Sequence, residues 1–241
     1  MGYKYLKFSD AGFEKKLNED AVEVIEMGGG LLCILCDGVG GDYGGDLAAK
    51  IAIKSVSHFF LSNESSDYLN RVKSSIEEAN SFILGHSSTS STLKNMATTL
   101  EVLFLINNLV FWGHIGDSRI YHLKSRKLKQ ITKDHSLVQK LLDEGFLTHK
   151  QAENHPNKNI IIKALGDGQF IEPDISKIKM NEYEDNRFFM CTDGVSNLLT
   201  DREIENILIN NDADLAKEKI IELIKFRGAS DDYSFIYVEK G

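Results

Sequence analysis

Four acidic points in the chain stand where chemistry could be done. Asn18-Glu19-Asp20 comes just before an apolar stretch, Asp37-Gly38 and Asp193-Gly194 each close one, and Asp231-Asp232 precedes the last. The two Asp-Gly steps follow the runs LLCILC (31–36) and FFMC (188–191), with Thr192 intervening in the second, and both continue with valine. One Asp-Gly after a strand is ordinarily a turn and nothing more. Two with the same apolar lead, beside two further acidic pairs, ask for a common cause. Carboxylates that gather without a counter-charge repel and raise one another's pKa. A hard divalent cation removes that conflict, and an oxygen-only donor set without His or Cys favours Mg²⁺ or Mn²⁺ over Zn²⁺. The glycine after each Asp leaves its carbonyl room to approach an ion or a water. Two such ions about 3.5–4 Å apart hold a water as hydroxide for in-line attack on phosphorus.

Strands must bring these points together. Alternation and short apolar runs predict strands over 4–9, 21–27, 31–36, 98–106, 109–114, 120–123, 128–131, 171–179, 187–192 and 234–239. Tight links at GGG (28–30), Asn107-Asn108 and Gly116-Asp117-Ser118 favour antiparallel hairpins. Helical periodicity falls on 45–60, 67–86, 137–144, 201–209 and 214–226. Strands in the middle with helices grouped before and after them indicate an α+β domain, with packed sheets inside and helices outside. The stretch 132–168 breaks the strand rhythm with loop and short helix, as insertions that overhang a site do.

Composition narrows the function classes. With 28 basic and 36 acidic residues the net charge is −8, which argues against a nucleic-acid partner. No stretch reaches membrane-spanning length and the N-terminus lacks a signal-type apolar segment. Cys33, Cys36 and Cys191 all lie in apolar runs, as expected of buried thiols in a reducing, cytoplasmic compartment. Cys33 and Cys36 form a Cys-x-x-Cys on a strand, where residues three apart face opposite sides, so they read as core residues rather than a redox pair. No cysteine is followed six residues later by arginine, and no Walker loop, G-x-G-x-x-G, His-Glu-x-x-His or Gly-x-Ser-x-Gly pattern is present. His114 fits a half-buried strand position, and His135 reads as a residue that structures the 132–168 segment.

The ordered set NEDA (18–21), DGVGGDYGG (37–45), ATTL (97–100), GDSRIY (116–121), TKDHS (132–136), ALGDG (164–168), TDGVSNLL (192–199) and GASDDYSFI (228–236) resembles the metal-dependent Ser/Thr protein phosphatases. This is the type 2C or PPM family, here in its single-domain bacterial branch. The resemblance runs from about residue 8 to 238. It implies a four-layer α-β-β-α sandwich of two antiparallel sheets flanked by helices, a single catalytic domain over 1–241, and a flap at about 132–168. It further implies two Mn²⁺ or Mg²⁺ ions bridged by Asp37 with help from the Gly38 carbonyl. Asp193 and Asp231 would complete one ion's shell, and Glu19 and Asp20 would bind or orient water at the other. Asp117 matches a ligand of a third, weaker ion; its other reading is a turn residue paired with Arg119. Phosphoserine and phosphothreonine proteins would be the substrates and a Ser/Thr kinase the opposing partner.

Four positions depart from the family pattern. Lys15 stands where the family holds a phosphate-binding arginine, and offers a point charge in place of a bidentate fork. Val39 replaces a histidine that some relatives carry as a candidate general acid, which leaves leaving-group protonation to bound water or to Asp42. Asp232 replaces the usual asparagine, and Asn197 stands where some relatives carry a further acidic ligand. Two other readings compete: a non-catalytic module of the same fold that binds phosphoproteins, and a hydrolase of small phosphate esters.

Overall fold

The computed structural model describes residues 2–39, 41–89, 91–181 and 184–240, with the side chains of 41–43 excepted. The chain begins with β1 (Tyr3–Asp10), β2 (Ala21–Met27), β3 (Gly30–Cys36) and β4 (Gly38–Val39). Two long helices follow, α1 (Gly41–Ser62) and α2 (Tyr68–Ser87). Then come β5 (Ala97–Thr98), β6 (Leu100–Ile106), β7 (Leu109–Ile115), β8 (Arg119–Lys124) and β9 (Lys127–Gln130). The 132–168 segment carries α3 (Leu137–Asp143) and α4 (His149–Glu153). The remainder is β10 (Asp174–Lys179), β11 (Asn186–Cys191), α5 (Asp193–Ser196), α6 (Asp201–Asn210), α7 (Ala213–Phe226) and β12 (Tyr233–Lys240).

LLCILC is apolar at every position because both faces of β3 are covered. β3 lies inside the sheet β10-β7-β6-β3-β2, whose neighbours all run antiparallel. Leu32, Ile34 and Cys36 pack in the layer of α1 and α2, with Ala48, Ala52, Val72 and Ile76. Leu31, Cys33 and Leu35 face the other way, onto Phe188, Met190, Ile236 and Val238 of the second sheet. That sheet, β1-β12-β11-β8-β9, is antiparallel too, and buries Phe189, Cys191 and Phe235 under α6 and α7. The result is the expected four-layer α-β-β-α sandwich of α+β class. The three thiols are free and buried, with Cys33 and Cys36 on opposite faces of their strand.

Three local expectations need correction. Gly116-Asp117-Ser118 does not close a hairpin: β7 pairs with β6 and β10, and β8 with β11 and β9, so this link crosses from one sheet to the other. The strand expected over 98–106 is interrupted at Thr99, because residues 97–98 pair instead with Gly38-Val39 as a two-stranded ribbon. The strand expected over 171–179 begins only at Asp174. The 132–168 segment folds back on itself through a bridge between Ser136 and Ile161 and is tied to β5 by Thr98–Leu165. No helix among the described residues is long and apolar enough to cross a membrane.

Candidate metal centre

Both sheets deliver carboxylates to one end of the sandwich. Asp37 leaves β3, Glu19 and Asp20 enter β2, Asp193 leaves β11, Asp231 enters β12, and Asp117 sits on the crossing between β7 and β8. Burial pushes the Asp37 carboxyl well above the ordinary range, and the negative charges of Asp20, Asp193, Asp117 and Asp231 push it further. Asp20 and Asp117 are each raised to about 8, first by burial and then by carboxylate neighbours. For Asp20, hydrogen bonds from Ser234 and Thr192 oppose the rise, the latter at 2.9 Å. Asp193 is raised by burial and by Asp231, against a hydrogen bond shared with Asp37 and the charges of Lys15 and Arg119. Glu19 is raised by burial in the same way, with Asp232 adding to it and Lys15 opposing. These directions describe a cluster that cannot carry its full charge without a cation.

The backbone around Asp37 is held by threonines. Thr99 Oγ1 accepts the Asp37 N–H at 2.9 Å, the Thr99 N–H donates to the Asp37 carbonyl at 2.9 Å, and Thr98 Oγ1 donates to that same carbonyl. Thr99 Oγ1 also meets Ser118 Oγ at 2.9 Å, which joins the Asp37 turn to the Gly116–Ser118 crossing. Gly38 packs against its neighbours with no room for a side chain. A Cβ there would lie 2.4 Å from the Gly45 carbonyl carbon and 2.5 Å from the Glu19 carbonyl oxygen. The Gly38 N–H donates to that Glu19 oxygen at 3.2 Å, so Glu19 and Asp37 are brought side by side by the backbone itself.

Each expected site residue can now be placed. Lys15 Nζ lies 2.6 Å from Asp231 Oδ1, at the rim of the cluster; burial alone would lower its pKa, but the bond to Asp231 outweighs burial and raises it. Asp117 is buried, and its Oδ1 has no hydrogen-bond partner among the described residues. The pairing of Asp117 with Arg119 is not what the guanidinium does: Arg119 binds Asp134, with Nη2 to Oδ2 at 2.7 Å, and Tyr121 Oη at 3.2 Å. Asn197 Nδ2 donates to Asp193 Oδ2 at 3.0 Å and so fixes the rotamer of that carboxylate. The side chain of Asp42 lies outside the described residues.

Asp232 has a role that the sequence did not disclose. Its two oxygens accept the N–H groups of Gly12 (3.1 Å) and Glu19 (2.9 Å), so it clamps the segment that carries Lys15, Glu19 and Asp20. His114 is fully buried, not half-buried, because Glu101 directly across from it on β6 supplies a polar partner at 2.6 Å.

The donor set fits a hard divalent ion: all oxygen, buried at Asp20 and Asp117 and half-buried at the rest, mutually repelling, with an orphaned carboxylate oxygen on Asp117. The fit is one of charge and donor type. Among the described residues no three carboxylate, thiol or imidazole groups already converge as an ion would hold them. Lys15, Asn197 and the shared Asp37–Asp193 hydrogen bond occupy oxygens that a cation would take. Beside Asp117 and Asp193 opens a cavity of about 670 Å³, walled by α3 and α4 on one side and by 196–202 on the other.

Comparison with known proteins agrees with this geometry. The family model described as protein phosphatase 2C matches residues 14–220. The protein phosphatase PhpP of Streptococcus pneumoniae is 33% identical over 225 residues, covering 90% of this chain and 88% of PhpP. The serine/threonine protein phosphatase PstP of Mycobacterium tuberculosis is 31% identical over 236 residues, covering 98% of this chain. The chain spans 45% of PstP, about half its length. The catalytic domain of PstP, solved in complex with two manganese ions, superposes with a TM-score of 0.86 at 30% identity, covering 98% of this chain and 97% of that one. On sequence and architecture together, the chain belongs to the protein phosphatase 2C family.

Proposed function

We propose that this protein is a Mn²⁺- or Mg²⁺-dependent phosphatase that hydrolyses phosphoserine and phosphothreonine in proteins. The observation that carries the reading is the mutually repelling carboxylate set around Asp37, whose charge Lys15 and Arg119 offset only in part. Two manganese ions in the PstP neighbour support the choice of a divalent pair. In this reading Asp37, with help from the Gly38 carbonyl, would hold the ions, Asp193 and Asp231 would complete the ligands of one, Glu19 and Asp20 would bind or orient water at the other, and Asp117 would hold a third, weaker one. When bound, the ions supply Lewis-acid charge and an activated water. The chain's own groups do the rest. Thr98 and Thr99 fix the Asp37 backbone, Asp232 holds Glu19 in place, and Asn197 orients Asp193. Lys15, released from Asp231, is placed to bind a phosphoryl oxygen as a point charge. The whole of 1–241 acts as one catalytic domain, and 132–168 is a flap beside the cavity that receives the substrate segment. A cytoplasmic Ser/Thr kinase is the natural opponent of such an enzyme.

The test is hydrolysis of a phosphothreonine peptide with Mn²⁺, with EDTA, and with Mn²⁺ and Asp37→Asn. Turnover that needs metal and disappears in the variant supports the reading. Manganese binding by calorimetry without turnover would instead support a phosphoprotein-binding module, and failure to bind manganese would defeat the carboxylate argument. Comparing phosphopeptides with small phosphate esters decides the substrate class.

A further inference from the structure

A second polar cluster lies between the sheets, away from the Asp37 group. Strand register sets Glu101 of β6, His114 of β7 and Asp174 of β10 side by side. Glu101 is fully buried, its Oε1 is 2.6 Å from His114 Nδ1, and its Oε2 has no partner among the described residues. Burial first, then the charges of Asp134 and Asp174, hold the Glu101 carboxyl in its neutral form, while burial holds His114 neutral. The proton of Glu101 therefore points to Nδ1, and His114 Nε2–H donates to the Lys133 carbonyl at 2.8 Å. His135 stacks on the His114 ring, centroids 4.4 Å apart. It also exchanges two hydrogen bonds with Gly116: its own N–H donates to the Gly116 carbonyl at 2.7 Å, and its Nδ1 accepts the Gly116 N–H at 3.1 Å. Gly116 has φ +116° and packs on Thr99, so the turn before Asp117 has no slack of its own.

We propose that His135 is a positioning residue that joins the root of the 132–168 segment to the Gly116–Asp117 turn and so presents the Asp117 carboxylate to a cation. The buried Glu101–His114 pair anchors this joint to the sheet through the Lys133 carbonyl and the ring stack. The cation part rests on the reading of Asp117 given above; the joint itself does not. Burial, helped by the charge of Lys163 and opposed by Asp174, lowers the His135 pKa to about 4, which leaves Nδ1 free to accept at neutral pH.

Two measurements test this. Hydrogen exchange in EDTA reads the joint without metal: His135→Ala should speed exchange of the Gly116 amide by roughly tenfold, the loss of one net hydrogen bond. Manganese titration by calorimetry reads the weakest site, whose half-saturating concentration should rise by roughly tenfold, as when a group supporting a ligand is removed. His135→Asn, whose Oδ1 stands where Nδ1 stood, should restore both in large part. His135→Phe keeps the stack, removes the acceptor, and serves if His135→Ala does not fold. Slower or unchanged Gly116 exchange in His135→Ala or His135→Phe, with only a lower Tm, overturns the proposal and leaves His135 as packing. If Asp117→Asn leaves the manganese titration unchanged, the third-ion reading falls, while Gly116 exchange still decides the joint.

Discussion

Removing divalent cations should reverse the usual pH dependence of stability between pH 6.5 and 8. Asp20 and Asp117 both rise from 3.8 to about 8 on folding. A carboxyl with a raised folded-state pKa contributes stability that is complete below the unfolded value and is lost as the pH rises through the folded one. Over this window the unfolded chain has released both protons and the folded chain still holds most of each. Each group then costs the folded state about 1.5 kcal/mol between pH 6.5 and 8, from 1.36 kcal/mol per proton per pH unit. For a chain of this size that is a fall in Tm of about 3–6 °C per group. Below 6.5 burial of His114, His122 and His135 opposes this slope, because it keeps them from taking up protons that the unfolded chain accepts, while Asp37 and Glu101, also raised, add to it. Urea unfolding followed by circular dichroism at four pH values gives the curve, and Asp117→Asn should remove its share of the slope. Excess Mn²⁺ should turn the slope upward, since ligands bind metal in their ionised form. A flat or rising curve in EDTA would refute the claim that these carboxylates are held together against their own repulsion.

Three further outcomes follow from contacts around the site. In Gly194→Ala the new Cβ would fall 1.9 Å from the Asp232 carbonyl oxygen, so the clamp must shift; urea unfolding should show a loss of about 3 kcal/mol. Thr99→Val leaves the buried Asp37 N–H without its acceptor and should destabilise by about 1–3 kcal/mol, with weaker manganese binding by calorimetry. Because Cys33, Cys36 and Cys191 are all buried and their thiols held protonated by burial, none should react with Ellman's reagent until the protein unfolds in urea.

The layers were legible because the chain states them in its alternation. LLCILC had to be covered on both faces, and the period of about 3.6 residues over 214–226 had to be a helix, whose Ile220 and Ile224 are buried. Asp37 and Asp193 were legible because a charge at the end of an apolar run needs a reason. What escaped detection depends on neighbours remote in sequence. Whether Gly116–Ser118 turns back or crosses depends on which sheet offers β8 a partner. His114 could be read as half-buried only while Glu101, thirteen residues away, was unknown as its partner. The part Asp232 plays shows only when the N–H groups of Gly12 and Glu19, more than two hundred residues earlier, are seen to point at it. Short elements such as α5, four residues long, carry too little periodicity to announce themselves.

The place of β12 in the sheet has a consequence for synthesis. It lies between β1 and β11, and the turn before it supplies both Asp231 and the Asp232 clamp on Gly12 and Glu19. While a ribosome is still adding residues before about 240, β1 lacks its pairing strand and the Lys15–Asp20 segment lacks the Asp232 clamp. Closing contacts this far apart in sequence is slow, and it is the last event rather than the first. The half-made chain can already bring Glu19 and Asp37 together through β2 and β3, but Asp231 and the Asp232 clamp join them only when the turn into β12 has been made.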